Sequence, residues 1–282
     1  MVMEDKFEKI GDSLIQHGKF NNRIYLMKTT PKGTSRIISK MDKLAEEKGY
    51  TKITAKIFAD SFPRFLLAGY RVEAYIPGYF NGEYDCMYVS KFTDEKRKKL
   101  PVIEMKRFRE LLRENPTNGK TQPVDLPQKE FVPGSLDEND AEAITEVFKR
   151  VFETYPFPVH NAEYIKSTMQ NNSAQYFGIW DEGKLIGIST AETDWNYKNA
   201  EMTDFAVLPE YRGQKLAFRL LEYMEKEIKK AGIKTAYTVA RLRELGMNKT
   251  FMNAGYKYTG TLVKNTHIGG SIESMNIFYK KL

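Results

Sequence analysis

Ile144, Val147, Phe148, Val151 and Phe152 recur at helical spacing behind Asp137, Glu138 and Asp140, acidic residues that suit a helix start, and Tyr155-Pro-Phe-Pro158 stops the run. Tyr176 to Trp180 and Lys184 to Glu192 read as strands joined by the hairpin turn Asp181-Glu-Gly183. Glu201 to Leu208 is a further strand that breaks at Pro209. After a short loop a helix runs to Ala231 with Ala217, Leu220, Leu221, Met224 and Ile228 on one face, and Gly232 suits its left-handed end. A strand over Lys234 to Val239, a short helix over Met247 to Ala254, and closing strands over Gly255 to Thr261 and Met275 to Lys280 complete a mixed α/β layer pattern.

The first part of the chain echoes the second. Gly49-Tyr-Thr-Lys-Ile, Phe65-Leu-Leu-Ala-Gly-Tyr70 and Met87 to Phe92 follow the order of Gly232-Ile-Lys-Thr-Ala, Phe251-Met-Asn-Ala-Gly-Tyr256 and Ile277 to Leu282. Upstream, Ile24 to Met27, the turn Thr30 to Thr34 and a helix from Ser35 to Lys48 match the strand, loop and helix at 203–231. A degenerate half-repeat is one reading and convergent strand–helix punctuation the other. The first loop has no counterpart of Arg212, so no cofactor is expected there. Between the two patterns, the Pro- and Asn-rich stretch Asn115 to Pro127 reads as a linker, giving an N-terminal α/β domain over 1–127 and a second domain over 128–282.

Composition narrows the chemistry. A single cysteine, Cys86, leaves no internal disulfide, and His17, His160 and His267 are scattered without ligand spacing, so no metal is expected. No apolar run is long enough to span a membrane and the first residues are charged, so the expected location is cytoplasmic. The net charge of +7 fits a polyanionic cofactor or solubility alone. Its densest cluster, Lys96 to Arg113, is interspersed with glutamates and carries no aromatic stacking platform, which argues for a solvated helix face and against nucleic acid.

The stretch from Thr203 to Ala217 is the most informative. A strand that breaks at Pro209 and re-enters a helix through Arg212 and Gly213 presents unpaired N–H groups at the positive end of the helix dipole, a site suited to a diphosphate. Phe205-Ala-Val207, Pro209, Arg212-Gly-Gln-Lys-Leu-Ala217 and the later Gly255-Tyr256 resemble the signature of the GNAT acyltransferases over about residues 130–282. The resemblance implies a GNAT fold, a mixed central sheet with helices on both faces, preceded here by a smaller α/β half-domain. It implies acetyl-CoA as cosubstrate, with Phe205, Ala206 and Val207 along the pantetheine and Arg212, Gly213, Gln214, Lys215, Leu216, Ala217 and Phe218 at the diphosphate. The family's central glycine falls on Lys215, whose side chain either turns outward or adds an ammonium to the diphosphate.

Acetylating an amine requires a base, because a lysine-type amine of pKa roughly 10.4 is almost wholly protonated at neutral pH. Glu201 and Asp204 are the candidates. Strand parity puts Glu201, Thr203 and Phe205 on one face and Met202 and Asp204 on the other; either acid could instead clamp a cationic substrate. The position at which family members carry a thiolate-protonating tyrosine is Phe251, leaving Tyr256, Tyr258 or solvent to substitute. Tyr155, Phe157, Tyr164 and Trp195 occupy segments that in the family line the acceptor pocket.

Asn199 to Gly213, Gly246 to Phe251, Gly255 to Leu262 and Asn265 to Ile268, together with Phe65 to Tyr70 and Glu73 to Glu83, resemble more narrowly the beta-lysine N-acetyltransferases. That resemblance implies attack of the beta-lysine ε-amine on acetyl-CoA to give N-epsilon-acetyl-beta-lysine, a compatible solute. Another small amine, a protein lysine, or a non-catalytic CoA-binding regulator are the alternatives. The N-terminal half would pack on the catalytic domain, wall the acceptor site or mediate a homodimer.

Overall fold

The computed structural model describes residues 5–30, 33–115, 119–124, 129 and 131–282. Part of the expected linker, including the boundary at 127, and residues 31 and 32 of the first turn lie outside them.

The first half contains β1 (Lys6–Ile10), β2 (Ser13–Gly18), β3 (Arg23–Lys28), α1 (Thr34–Lys48), β4 (Lys52–Phe58), α2 (Phe62–Leu67), β5 (Arg71–Phe80), β6 (Tyr84–Phe92), α3 (Glu95–Lys98) and α4 (Val102–Glu114). The second contains β7 (Pro133–Leu136), α5 (Ala141–Val151), α6 (Ala162–Gln170), β8 (Ala174–Asp181), β9 (Lys184–Asp194), β10 (Asn199–Val207), α7 (Leu216–Lys230), β11 (Thr235–Arg241), α8 (Leu245–Asn253), β12 (Lys257–Ile268) and β13 (Ser271–Lys281).

The second sheet has the order β12-β13-β11-β10-β9-β8-β7, and the first β1-β2-β3-β4-β6-β5. In each, one central pair is parallel, β10 with β11 and β3 with β4, and its neighbours are antiparallel. The first sheet therefore has the strand order and directions of the second without its outermost strand. Each parallel pair is joined by a crossover helix, α7 or α1, whose apolar face covers the sheet: Leu220, Leu221, Met224 and Ile228 in one, Ile37, Ile38, Met41 and Ala45 in the other.

In β4 the alternation Lys52-Ile-Thr-Ala-Lys-Ile57 sends Ile53, Ala55 and Ile57 to the core under α1 and leaves Lys52, Thr54 and Lys56 on the opposite face. That polar face is turned towards the second half. Lys52 is fully buried and forms a 2.6 Å ion pair with Glu73, which also accepts from Ser90 and from the Val263 amide at 3.0 Å. Beside this network, Ala74, Ile76, Phe80 and Cys86 form a joint apolar cluster with Tyr237, Leu262, Met275 and Ile277. β5 and β12 cross at Gly260, where a Cβ would lie 2.7 Å from the Ala74 Cα, so only glycine permits this approach.

α4 is the expected mostly solvated basic helix, but its Met105 and Phe108 are buried in the core of the second half, with Phe108 edge-on to Tyr258. This segment precedes the linker in sequence and follows the second half in space.

Candidate active site

β10 and β11 pair only from Asn199 opposite Thr235 to Glu201 opposite Tyr237. Beyond Glu201 the strands part, while β10 stays paired on its other side with β9 as far as Val207 opposite Gly187. A wedge opens in the sheet with an unpaired strand edge along one wall. In the first sheet the β3–β4 pairing likewise stops short of the strand ends, running from Arg23 opposite Lys52 to Leu26 opposite Ala55, one residue pair longer than that of β10 with β11.

The register of β10 against β9 shifts between Thr203 and Ala206, and Asp204 sits in the bulge at φ +53°. A bulge adds one residue to one strand and re-aims the side chains after it. It overturns the parity expected for a regular strand: Asp204 lines the same cavity as Glu201. Glu192, directly opposite Glu201 in the β9 register, is the third carboxyl of the group. Like charges opposed across a ladder are unfavourable in an ordinary sheet, and here Asp204 is buried while Glu192 and Glu201 are half-buried.

Burial pushes the Glu201 carboxyl up to about 7, with Asp204 adding to the effect and Lys56 and the Tyr237 hydroxyl opposing it. Burial, then Glu201 and Asp204, hold Glu192 well above the carboxylate range. Asp204 is raised by burial, opposed by hydrogen bonds from Tyr155 and Thr203. The Tyr155 hydroxyl donates a short hydrogen bond to Asp204. Asp204 is thus held by neighbours, whereas Glu201 stands at the point where the strands separate.

After β10 the chain turns through Pro209–Tyr211, passes Gly213 at φ +83° and Lys215 at φ +60°, and enters α7 at Leu216. The left-handed conformation at Lys215 accounts for the glycine favoured in this place by the resembled family, since an L side chain there costs roughly 1–2 kcal/mol. Lys215 is exposed at the cavity edge. Among the described residues, the amides of 213–217 have no acceptor in the chain, leaving them for an anion at the positive end of the helix.

The cavity has a volume of about 820 Å³ and runs from this loop along the wedge to the polar face of the first sheet. Phe205, Val207, Arg212, Gly213, Lys215, Leu216 and Ala217 line it, while Gln214, Ala206 and Phe218 do not; Ala206 and Phe218 turn their side chains into the core. Tyr155 and Phe157 also line it. Tyr164 and Trp195 are outside its wall: Tyr164 is part-buried near Glu192 and Asp204, and the Trp195 indole donates to the Asn172 carbonyl at 2.7 Å.

Tyr256 is not at the site. It is fully buried behind Phe251, ring centroids 5.1 Å apart, beside Glu225 and Lys280. Phe251 faces Phe205 edge-on at 5.6 Å and closes the wedge with an apolar ring. Neither offers a proton to a leaving thiolate in the cavity.

Sequence reasoning missed Glu192 and, although it allowed that the first half would wall the acceptor site, named none of the residues that half contributes. Tyr25, Lys56, Tyr79 and Tyr88 line the same cavity as the carboxyls. Glu192 could have been found by counting the hairpin register back from Asn199, and Lys56 by the alternation of β4. That a polar strand face would meet the active site instead of solvent required the packing of the two halves.

The family profile described as "Acetyltransferase (GNAT) family" matches residues 141–251. A beta-lysine N(6)-acetyltransferase of Methanococcus maripaludis is 39% identical over 276 residues, covering 98% of each chain. The chain belongs to the GNAT family of acetyltransferases. Its similarity to the N-acetyltransferase YodP of Bacillus subtilis, 30% over 96% of each chain, also includes the first half. A beta-lysine N(6)-acetyltransferase of Methanosarcina mazei is 37% identical over 51% of this chain and 52% of its own. As a GNAT enzyme the protein transfers an acetyl group from acetyl-CoA to an amine, and the wedge, bulge and α7 loop are the geometry that such a transfer needs.

Proposed function

We propose that this GNAT acetyltransferase acetylates the ε-amine of beta-lysine, using residues 128–282 for acyl transfer and the preceding half as the far wall of the acceptor site. The observation that carries the reading is the cluster of Glu192, Glu201 and Asp204 lining the cavity at the opening of the wedge, a setting for a cationic amine beside the thioester. The names of the similar Methanococcus and Methanosarcina proteins support beta-lysine as that amine.

In this reading the exposed backbone of 205–207 pairs with the pantetheine arm, and the amides of 213–217 with Arg212 hold the diphosphate. Glu201 accepts the proton of the attacking ammonium, directly or through one water. A carboxyl near neutrality is suited to that task, because it is deprotonated often enough to act and basic enough to accept. The amine nitrogen bonds to the thioester carbon, an N–H near Val207 stabilises the oxyanion, and collapse expels the CoA thiolate. With Phe251 in place of a donor, the thiolate leaves as such or takes a proton from solvent; a thiol of pKa roughly 8.5 is an adequate leaving group. The product loses one positive charge and is a net-neutral solute, consistent with a cytoplasmic role as a compatible solute.

Free-thiol release over a panel of beta-lysine, lysine, polyamines and lysine peptides, with mass spectrometry of the product, tests the proposal. Fastest turnover with beta-lysine and acetylation at its ε-nitrogen is expected; release with peptides alone would overturn it.

A further inference from the structure

We propose that Lys56, with the Tyr88 hydroxyl, anchors the carboxylate of the acceptor, so that the first half selects an amino acid over a simple polyamine. The inference rests on the acceptor-site reading above and names the part of the substrate that the catalytic half does not address.

The polar face of the first sheet carries Tyr25, Lys56 and Tyr88 together. Lys56 is directly opposite Tyr88 in the β4–β6 register, and Tyr25 is opposite Thr54, two residues from Lys56 and hence on its face. All three line the cavity. The Lys56 ammonium lies over the rings of Tyr79 at 5.2 Å and Tyr237 at 5.8 Å, one from each half of the chain. The Tyr88 hydroxyl is buried and finds no hydrogen-bond partner among the described residues.

Buried cations of this region already have oxygen acceptors. Lys52 is paired with Glu73 and the Val263 carbonyl, Arg23 donates to the Asn265 carbonyl and Thr266, and Arg97 donates to the carbonyls of Asn21 and Lys264. No ion pair within the chain forms on Lys56 among the described residues. The half-buried Lys56 ammonium has the Tyr79 hydroxyl as a neighbour but no paired carboxylate, and the buried Tyr88 hydroxyl has no partner among the described residues, so an incoming carboxylate offsets the cost of both.

The cavity lining therefore carries both charges, with Glu192, Glu201 and Asp204 on β9 and β10 and Lys56 with tyrosine hydroxyls on the first sheet. A diamine carries nothing for Lys56, and a monocarboxylic diamino acid matches both groups. Lys56 also lowers the proton affinity of Glu192 and Glu201; a role confined to that would act on every acceptor alike.

The test compares kcat/KM for beta-lysine and for its decarboxylated diamine in the wild type, Lys56→Met and Tyr88→Phe, with lysine and cadaverine as a second pair. In the wild type the carboxylate-bearing member of each pair is expected to be favoured roughly 10- to 100-fold, the range of one charge-assisted contact. Lys56→Met brings the ratio close to one through a higher KM for the amino acid, Lys56→Arg restores part of it, and Tyr88→Phe lowers it by a few-fold. Because the readout is a ratio within one preparation, loss of folded protein cannot imitate it. A ratio unchanged by Lys56→Met, or a variant that shifts the pH profile equally for both members, overturns the anchor while leaving beta-lysine acetylation intact. A wild-type enzyme that uses the diamines and neither amino acid overturns both readings.

Discussion

Glu201 joins the electrostatics of the site to a measurable pH dependence. Its carboxyl is raised from the ordinary 4.5 to about 7 by burial, and the competent form is the deprotonated one. We expect kcat/KM to rise with pH through this region, in addition to the ionisation of the amine itself. The apparent value belongs to the group with Glu192 and Asp204, which titrate together. Glu201→Gln should remove that limb and lower turnover by roughly 10²- to 10⁴-fold with little change in acetyl-CoA affinity; stopped-flow thiol release from about pH 5 to about pH 9 measures both.

The same raised carboxyls bear on stability. Each binds its proton more tightly folded than unfolded, so the contribution to stability is fullest in acid and falls as pH rises from the normal carboxylate range towards 7. Urea denaturation across that interval should show the decline, with a shallower slope in Glu201→Gln. Lys215 is a simpler case. Its φ of +60° predicts that Lys215→Gly stabilises the unliganded protein by about 1 kcal/mol, read as a higher Tm. Binding of acetyl-CoA weakens by up to ~5-fold and becomes less salt-dependent in calorimetry, consistent with an ammonium held near the diphosphate.

Among the elements, those placed by strong periodicity were legible in the sequence. The helix expected after the Arg212 loop begins at Leu216, and the hairpin turn Asp181-Glu-Gly183 joins β8 and β9. The ends were not. β12 continues to Ile268 and β13 begins at Ser271, because their pairing with each other and packing on β5 sustain strand where propensity alone gives out. β7, four residues with Pro133 and Gly134, has no strand signature of its own and forms by pairing with β8. Within the site, Arg212, Phe205 and Glu201 were visible because strand-to-helix punctuation marks them. Asp204 was given the wrong face because a bulge changes parity without altering composition.

The crossing of β5 and β12 at Gly260 fixes how these elements face each other. Gly260→Val places a branched side chain against the Glu73–Ala74 backbone, and overpacking of this kind should cost at least ~2 kcal/mol in urea denaturation. Since β5 carries Tyr79, KM for the acceptor should rise more than KM for acetyl-CoA.

For the molecule as a whole, the join between the halves sets a buried ion pair of the first half beside a shared apolar cluster. Lys52 and Glu73 are both buried, 2.6 Å apart. Lys52→Met leaves an unpaired carboxylate in that position and is expected to cost about 3–5 kcal/mol, whereas pairing it with Glu73→Leu should recover most of the loss. Denaturant midpoints of the single and double variants decide this.

The placement of Tyr25, Lys56 and Tyr88 on one face of the first sheet has a consequence for redesign. In the proposed reading the first sheet contributes side chains to the cavity, while the open edge of β10 and the α7 loop hold the acyl donor. New acceptor preferences can therefore be sought by varying positions 25, 56 and 88 as a small combinatorial library, with the acyl-transfer apparatus carried along as a constant.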